Sequence, residues 1–207
     1  MRTRLLRPLW VALAIACTAT MAIAQERQGG GGQGRAGGGG GRGPQVPPMI
    51  MTTTAFEDGG ILPAKYAGAM GVSPALNWTQ VPPGTQSFVL LLHDPEPALN
   101  KGLMDVTHWL VWNIPATATG LPEGVPAAAE RPDGTRQVSL RANGFMGPGA
   151  PANGPYHHYT FELYALDTKI DVPAGMPSEA ANTRTAVFKA MDGHILGKAI
   201  LVARYHQ

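Results

Sequence analysis

From Met49 to the C-terminus the chain consists of short apolar runs separated by proline and glycine. Runs of this length suit β-strands, and the separators favour turns, so the pattern predicts a mainly β sandwich or barrel. The clearest predicted strands are 87–93, 107–114 and 158–166, and weaker ones are 51–56, 75–78, 137–141 and 199–205. Residues 49–207 therefore form one predicted domain with chain enough for a substantial core.

Two segments add detail to this prediction. The run Phe88–Leu92 is apolar at every position, so both faces of its strand should be covered, which favours a central place in a sheet. One helix is predicted between Ser178, as its cap, and Gly193, as its stop. Its apolar stripe comprises Val187, Phe188 and Met191.

The first 24 residues have the pattern of a secretory signal peptide. A basic head precedes an apolar stretch from Leu9 to Ile23, and the A-x-A sequence Ala22–Ala24 predicts cleavage before Gln25. The stretch is shorter than the ~20 apolar residues that span a bilayer, so no stable membrane span is expected. A periplasmic or secreted protein is the main interpretation. Lipid attachment at Cys17, the only cysteine, is the alternative, although its surroundings match a lipobox poorly.

Residues 25–48 are predicted to be a glycine-rich disordered tether. Positions 29–43 contain eleven glycines and almost no apolar surface, which cannot offset the entropy of ordering the backbone. Residues 1–48 carry six arginines and one glutamate, whereas residues 49–207 carry ten basic and thirteen acidic residues. Since the basic charge lies outside the predicted domain, nucleic-acid binding by that domain is not expected.

Three polar residues stand at the ends of predicted strands. Asp94 follows the strand 87–93, His108 lies at the start of 107–114, and His157 precedes 158–166. If the first two strands pair in antiparallel fashion, Asp94 and His108 meet at one edge of the sheet. Strand alternation places His93 and His158 on the opposite face from Asp94 and His157, respectively.

A carboxylate beside two imidazoles has more than one chemical use. Asp94 can fix the tautomer of an imidazole and leave N–H donors for a phosphate or carboxylate ligand. Two histidines and a carboxylate are also a known metal ligand set. Spacing alone does not choose between these uses, because the chain has neither a His-Glu-x-x-His motif nor paired cysteines.

A series of spaced motifs makes the sequence recognisable. In order, they are Ser73–Trp78 (SPALNW), Val81–Phe88 (VPPGTQSF), Asp94–Pro97 (DPEP), His108–Pro115 (HWLVWNIP), Leu121–Gly124 (LPEG) and His157–Asp167 (HHYTFELYALD). Over about residues 51–205 the chain resembles the phosphatidylethanolamine-binding protein (PEBP) family, in particular its bacterial Raf-kinase-inhibitor-like branch.

The resemblance implies a sandwich of two antiparallel sheets with a few peripheral helices and an anion pocket at one end. It assigns ligand-binding roles by position to Asp94, His108, Pro151, His157 and Tyr159. The implied ligand is a small anion or a phospholipid headgroup, and no cofactor or metal is expected. Three positions depart from the family pattern, since Glu96 replaces a second aspartate, Val72 stands where an asparagine is usual and His158 replaces an arginine. These changes affect the expected ligand preference.

Three functions follow from the sequence. The first is an exported protein that binds small phosphate- or carboxylate-bearing ligands. The second is an inhibitor or regulator of a protein partner such as a secreted or periplasmic protease. The third is a hydrolase that uses the histidines and Asp94 as acid and base. The chain has no Gly-x-Ser-x-Gly motif and no Gly-x-x-x-x-Gly-Lys-Ser/Thr loop, so we expect a binding protein rather than an enzyme.

Overall fold

A computed structural model of the protein describes residues 48–69 and 71–207. Its strands, in chain order, are β1 (Ile50–Thr52), β2 (Gly60–Ile61), β3 (Leu76–Thr79), β4 (Ser87–Leu99), β5 (Met104–Pro115), β6 (Gly120–Leu121), β7 (Arg136–Val138), β8 (His157–Leu166) and β9 (Ile195–Tyr205). A six-stranded sheet has the order β2-β9-β8-β4-β5-β7, and a three-stranded sheet has the order β1-β3-β6. The predicted mainly β sandwich is confirmed.

Strand pairing is antiparallel except at one edge of the larger sheet. There, β2 runs parallel to β9, with Gly60 opposite Ala203. Pro48, assigned by sequence to the end of the tether, forms a parallel bridge with Lys198. The predicted signal peptide and the rest of the predicted tether lie outside the described residues.

The alternation of side chains along β4 explains the layers. Phe88, Leu90 and Leu92 pack into the core between the sheets, and Val89 and Leu91 pack on the other face. That second face is covered by helix α1 (Ala180–Met191), whose Val187 and Met191 are buried. The run 88–92 is therefore central, as predicted, with β5 on one side and β8 on the other.

The helix begins differently from the sequence prediction. A 3₁₀ turn at Pro177–Glu179 leads into α1, and no side chain caps either segment. Ser178 is therefore not a cap, because Pro177 already starts the turn with the φ angle that a helix requires. A second 3₁₀ turn spans Ala64–Tyr66. Within the described residues, no helix is long and apolar enough to cross a membrane.

Candidate functional site

The site begins with a contact between the middle of β4 and the start of β8. β4 continues to Leu99 and β5 begins at Met104, so Asp94 and His108 lie inside their strands and not at the strand ends where the sequence placed them. Asp94 continues the row of β4 that faces the core between the sheets, one step beyond Leu92. His157 opens β8, and its Nδ1 lies 2.7 Å from Oδ2 of Asp94. Asp94 is buried, whereas 17% of the His157 side chain remains exposed. The bond orients the imidazole and leaves Nε2 as its other polar atom.

A bulge in β5 directs His108 towards the same region. Leu92 pairs with Trp109 and His93 with Thr107, so His108 is an extra residue without a direct partner. Such bulges re-aim side chains. The His108 ring packs edge-on against Tyr159, with 5.1 Å between centroids. The antiparallel pairing of β4 and β5, on which the expected proximity of Asp94 and His108 depends, is present, but the sequence did not predict the bulge.

A loop after β7 holds His108 in place. Nδ1 of His108 lies 2.9 Å from the carbonyl oxygen of Met146, and the Met146 amide donates back to the His108 carbonyl at the same distance. A Cβ at Gly147 would lie 2.5 Å from the Gly68 carbonyl oxygen, so the loop reaches this position only with glycine there.

Tyr159 lies between the two imidazoles. Its ring centroid is 6.4 Å from that of His157, and its hydroxyl oxygen accepts hydrogen bonds from the amides of Gly149 and Ala150. Pro151 follows Ala150 directly, is exposed, and opens a turn that closes at the Gly154 amide. The fold thus brings Asp94, His108, His157 and Tyr159 to one end of the sandwich, with Pro151 on the neighbouring loop.

Glu96 and His158, which both depart from the family pattern, bond to each other. Nδ1 of His158 lies 2.7 Å from Oε1 of Glu96, and the His158 amide donates to Oε2. The Glu96 amide in turn donates to Oδ1 of Asp94. His93 lies on the opposite face of the sheet, where it contacts Asp105, as strand alternation predicts.

Burial dominates the electrostatics of the site. It lowers the pKa of His108 to about 4, so this ring is neutral at pH 7. It raises the pKa of Asp94 despite the hydrogen bond from His157. Burial together with the nearby Asp94 charge raises the pKa of Tyr159 to about 12. For Glu96, burial is outweighed by the hydrogen bonds with His158 and Asp94, and its pKa is lowered.

One group of side chains has the composition of a metal site. Asp94, Glu96 and His157 each offer a ligand atom within 4.8 Å of the others, and such oxygen and nitrogen donors suit zinc. All three side chains already take part in hydrogen bonds, Asp94 with His157 and Glu96 with His158. Hydrogen bonding therefore accounts for the cluster without an ion.

Sequence reasoning missed the backbone part of the site. The carbonyl of Met146 and the amides of Gly149 and Ala150 fix the two aromatic side chains. The only available signal was the Gly- and Pro-rich composition of 144–154, which predicts a loop without indicating where it packs. The pairing of Glu96 with His158 also has no signal in the sequence, because 62 residues separate the two side chains.

Comparison with known proteins agrees with the fold. The family model described as "Phosphatidylethanolamine-binding protein" matches residues 52–206. A UPF0098 protein of Methanothermobacter thermautotrophicus is 38% identical over 162 residues, covering 77% of this chain and 99% of the relative. The UPF0098 protein YbhB of Escherichia coli is 36% identical over 137 residues, covering 61% of this chain and 84% of the relative.

A solved structure has the same architecture. The crystal structure of Escherichia coli YbcL, described as a new member of the mammalian PEBP family, superimposes with a TM-score of 0.61 at 30% sequence identity. The match covers 78% of this chain and 99% of YbcL.

Proposed function

The chain belongs to the phosphatidylethanolamine-binding protein family, and from this premise we propose that it binds small phosphate- or carboxylate-bearing ligands such as phospholipid headgroups. The observation that carries the proposal is the 2.7 Å contact between Asp94 and His157. It holds a partly exposed imidazole beside two buried aromatic side chains, His108 and Tyr159. Pro151 lies on the loop next to them.

The protonation of the two rings restricts the form of ligand that fits. Neutral His108 donates its Nδ1 proton to the Met146 carbonyl, so its Nε2 is an acceptor. His157 directs Nδ1 at the Asp94 carboxylate, so its Nε2 donates only when the ring is protonated. In these forms neither Nε2 atom can donate a hydrogen bond. A hydrogen bond between an Nε2 atom and a ligand oxygen therefore needs a proton either on the imidazole or on the ligand.

Calorimetric titration of the purified protein with inorganic phosphate and with phosphoethanolamine tests the proposal. His157→Ala removes a hydrogen bond to a charged ligand group and should weaken binding by about tenfold or more. His157→Gln keeps much of the volume and checks that any loss is not a failure to fold. The matched control is His194→Ala, because Nδ1 of His194 also lies 2.7 Å from an aspartate, Asp167, at an exposed place away from the site.

Two results contradict the proposal. One is a folded wild-type protein that binds neither ligand. The other is equal affinity in the wild type and in both His157 variants. Binding that disappears after treatment with a chelator would instead assign a metal to Asp94, Glu96 and His157.

We propose further that residues 1–24 direct export, which places the binding domain in the periplasm or outside the cell. The basic head, the apolar stretch and Ala22–Ala24 support this. The ligand would then be met outside the cytoplasm, where exposed headgroups and free anions are both available.

A further inference from the structure

A cavity lies at the C-terminal part of β5, away from the Asp94–His157 contact. It has a volume of about 180 Å³ and is lined by the end of β5, by β6 and by the segment that follows β6. At the cavity, Val111 and Ile114 lie three and six residues from His108 along β5, about 10 and 20 Å of strand away. None of Asp94, His108, Pro151, His157 and Tyr159 lines the cavity.

The cavity has an apolar floor. Val111 and Ile114 of β5 are each 1% exposed, and Val125 from the facing segment is 9% exposed. Together with Leu121, these three residues line the cavity with aliphatic side chains. A cavity of this kind favours an apolar group over water, which needs polar partners.

The rim carries charge. Arg131 and Asp133 both line the cavity at a turn in which the Gly134 amide donates to the Arg131 carbonyl. Asp133 is engaged by the Thr135 amide, at 2.9 Å from Oδ1. The neighbouring Glu130 is paired with Arg136.

Arg131 is half-buried, and among residues 48–69 and 71–207 no carboxylate lies within ion-pair distance of its guanidinium. Despite its burial, the hydrogen bond from Thr135 and the charge of Arg131 lower the pKa of Asp133, which also lines the cavity. Arg131 therefore acts on Asp133 without forming an ion pair with it, and its N–H donors can still meet a ligand carboxylate. A planar guanidinium of this kind matches a carboxylate with two parallel hydrogen bonds.

We propose that this cavity is a second ligand site, which binds a small amphipathic carboxylate with its apolar part on Val111, Ile114 and Val125 and its carboxylate on Arg131. The volume suits a group about the size of one aromatic ring, since a dry apolar cavity of about 150 Å³ binds benzene in another protein. The site is independent of the anion pocket proposed above, and its residues have no part in that pocket.

Benzoate is the probe, followed by two-dimensional NMR of the full chain. Benzoate should shift the amide resonances of Val111, Ile114 and Val125, and benzylamine, which has the same ring with a positive charge, should not. Arg131→Gln should weaken benzoate binding by about tenfold, whereas Arg131→Lys, which keeps the charge, should lose less. Val125→Phe fills the cavity and should abolish binding.

Because the anion pocket is itself proposed to accept carboxylates, His157→Ala separates the two sites. This variant should weaken phosphate binding by about tenfold or more and leave the benzoate-induced shifts at Val111 and Ile114 unchanged. The inference is overturned if benzoate shifts only residues around Asp94 and His157, if Arg131→Gln binds benzoate like the wild type, or if benzylamine binds as well as benzoate. The Arg131 side chain is partly exposed, so this variant should fold even if Val125→Phe does not.

Discussion

At the scale of single residues, burial and backbone contacts set the chemistry of His108. Its ring is enclosed by Tyr159 and by the loop carrying Met146, with no carboxylate bonded to it. The ring is 5% exposed, and this burial lowers its pKa from 6.5 to about 4. The folded protein therefore resists protonation of a residue that is readily protonated in the unfolded chain.

His108 should make the protein less stable in acid. As the pH falls below 6.5, the His108 imidazole becomes protonated in the unfolded chain, whereas in the folded protein it becomes protonated only at about pH 4. The difference in pKa corresponds to about 3 kcal/mol in the free energy of unfolding, present above pH 6.5 and lost by about pH 4. Urea unfolding of the wild type and of His108→Gln at several pH values measures this effect.

The variant should show the smaller decrease between pH 6.5 and 4. Asp94 acts in the opposite direction, because a raised carboxyl pKa makes the folded state take up its proton first, but both proteins share that contribution. His194→Gln, at an exposed position, should follow the wild type. Identical dependence of the unfolding free energy on pH in wild type and His108→Gln would contradict the lowered pKa of the buried His108.

At the scale of elements, the two faces of the large sheet carry different groups of polar side chains. The face towards the second sheet ends in Asp94, His157 and Tyr159. The face towards α1 carries a different polar group, in which Asp105 contacts both His93 and Arg184 of the helix. Burial opposes the charge of Asp105, but these two partners outweigh it and lower its pKa. The contact therefore ties α1 to the β4–β5 hairpin.

Asp105→Asn should loosen this attachment. Removing one partner of a largely buried pair leaves Arg184 without its counter-charge and should cost about 3 kcal/mol of unfolding free energy. Hydrogen exchange of the amides in Ala180–Met191 should accelerate more than exchange in β8. Asp167→Asn is the matched control, since its histidine partner is exposed. Equal effects of the two substitutions would contradict a role for Asp105 in holding α1.

At the scale of the whole molecule, the chain joins a predicted export segment and tether to one binding domain. In the exported protein the mature N-terminus should be Gln25. Mass spectrometry of protein recovered from the native cell envelope measures it directly. An intact N-terminal Met1, or a lipid-modified Cys17, would contradict cleavage after Ala24.

Much of the fold could be predicted from the sequence because the strongest signals are local. The fully apolar run 88–92 predicts a central strand, and turn residues mark most strand boundaries. The motif order then supplies the two-sheet architecture. The parallel pairing of β2 with β9 could not be predicted, because β2 is two residues long and has no periodicity to detect.

The candidate site was predictable only in part, for a similar reason. Antiparallel pairing of adjacent strands predicts that Asp94 and His108 lie at one edge, and alternation separates His93 from them. Bulges depend on three-dimensional packing, so the extra residue at His108 was not visible. The sequence also gives no signal for the backbone conformation of Asn113. This residue has a φ of 56°, and its side chain bonds to both the amide and the carbonyl of Ile170.

A crystal structure of the protein grown with phosphate tests the central claim most directly. We expect an anion within hydrogen-bond distance of His157 Nε2 and beside the rings of His108 and Tyr159. The anion should be absent from crystals of His157→Ala grown under the same conditions. A well-ordered, open site that stays empty at saturating phosphate, or an anion bound only elsewhere, would contradict the assignment of this end of the sandwich as the anion-binding site.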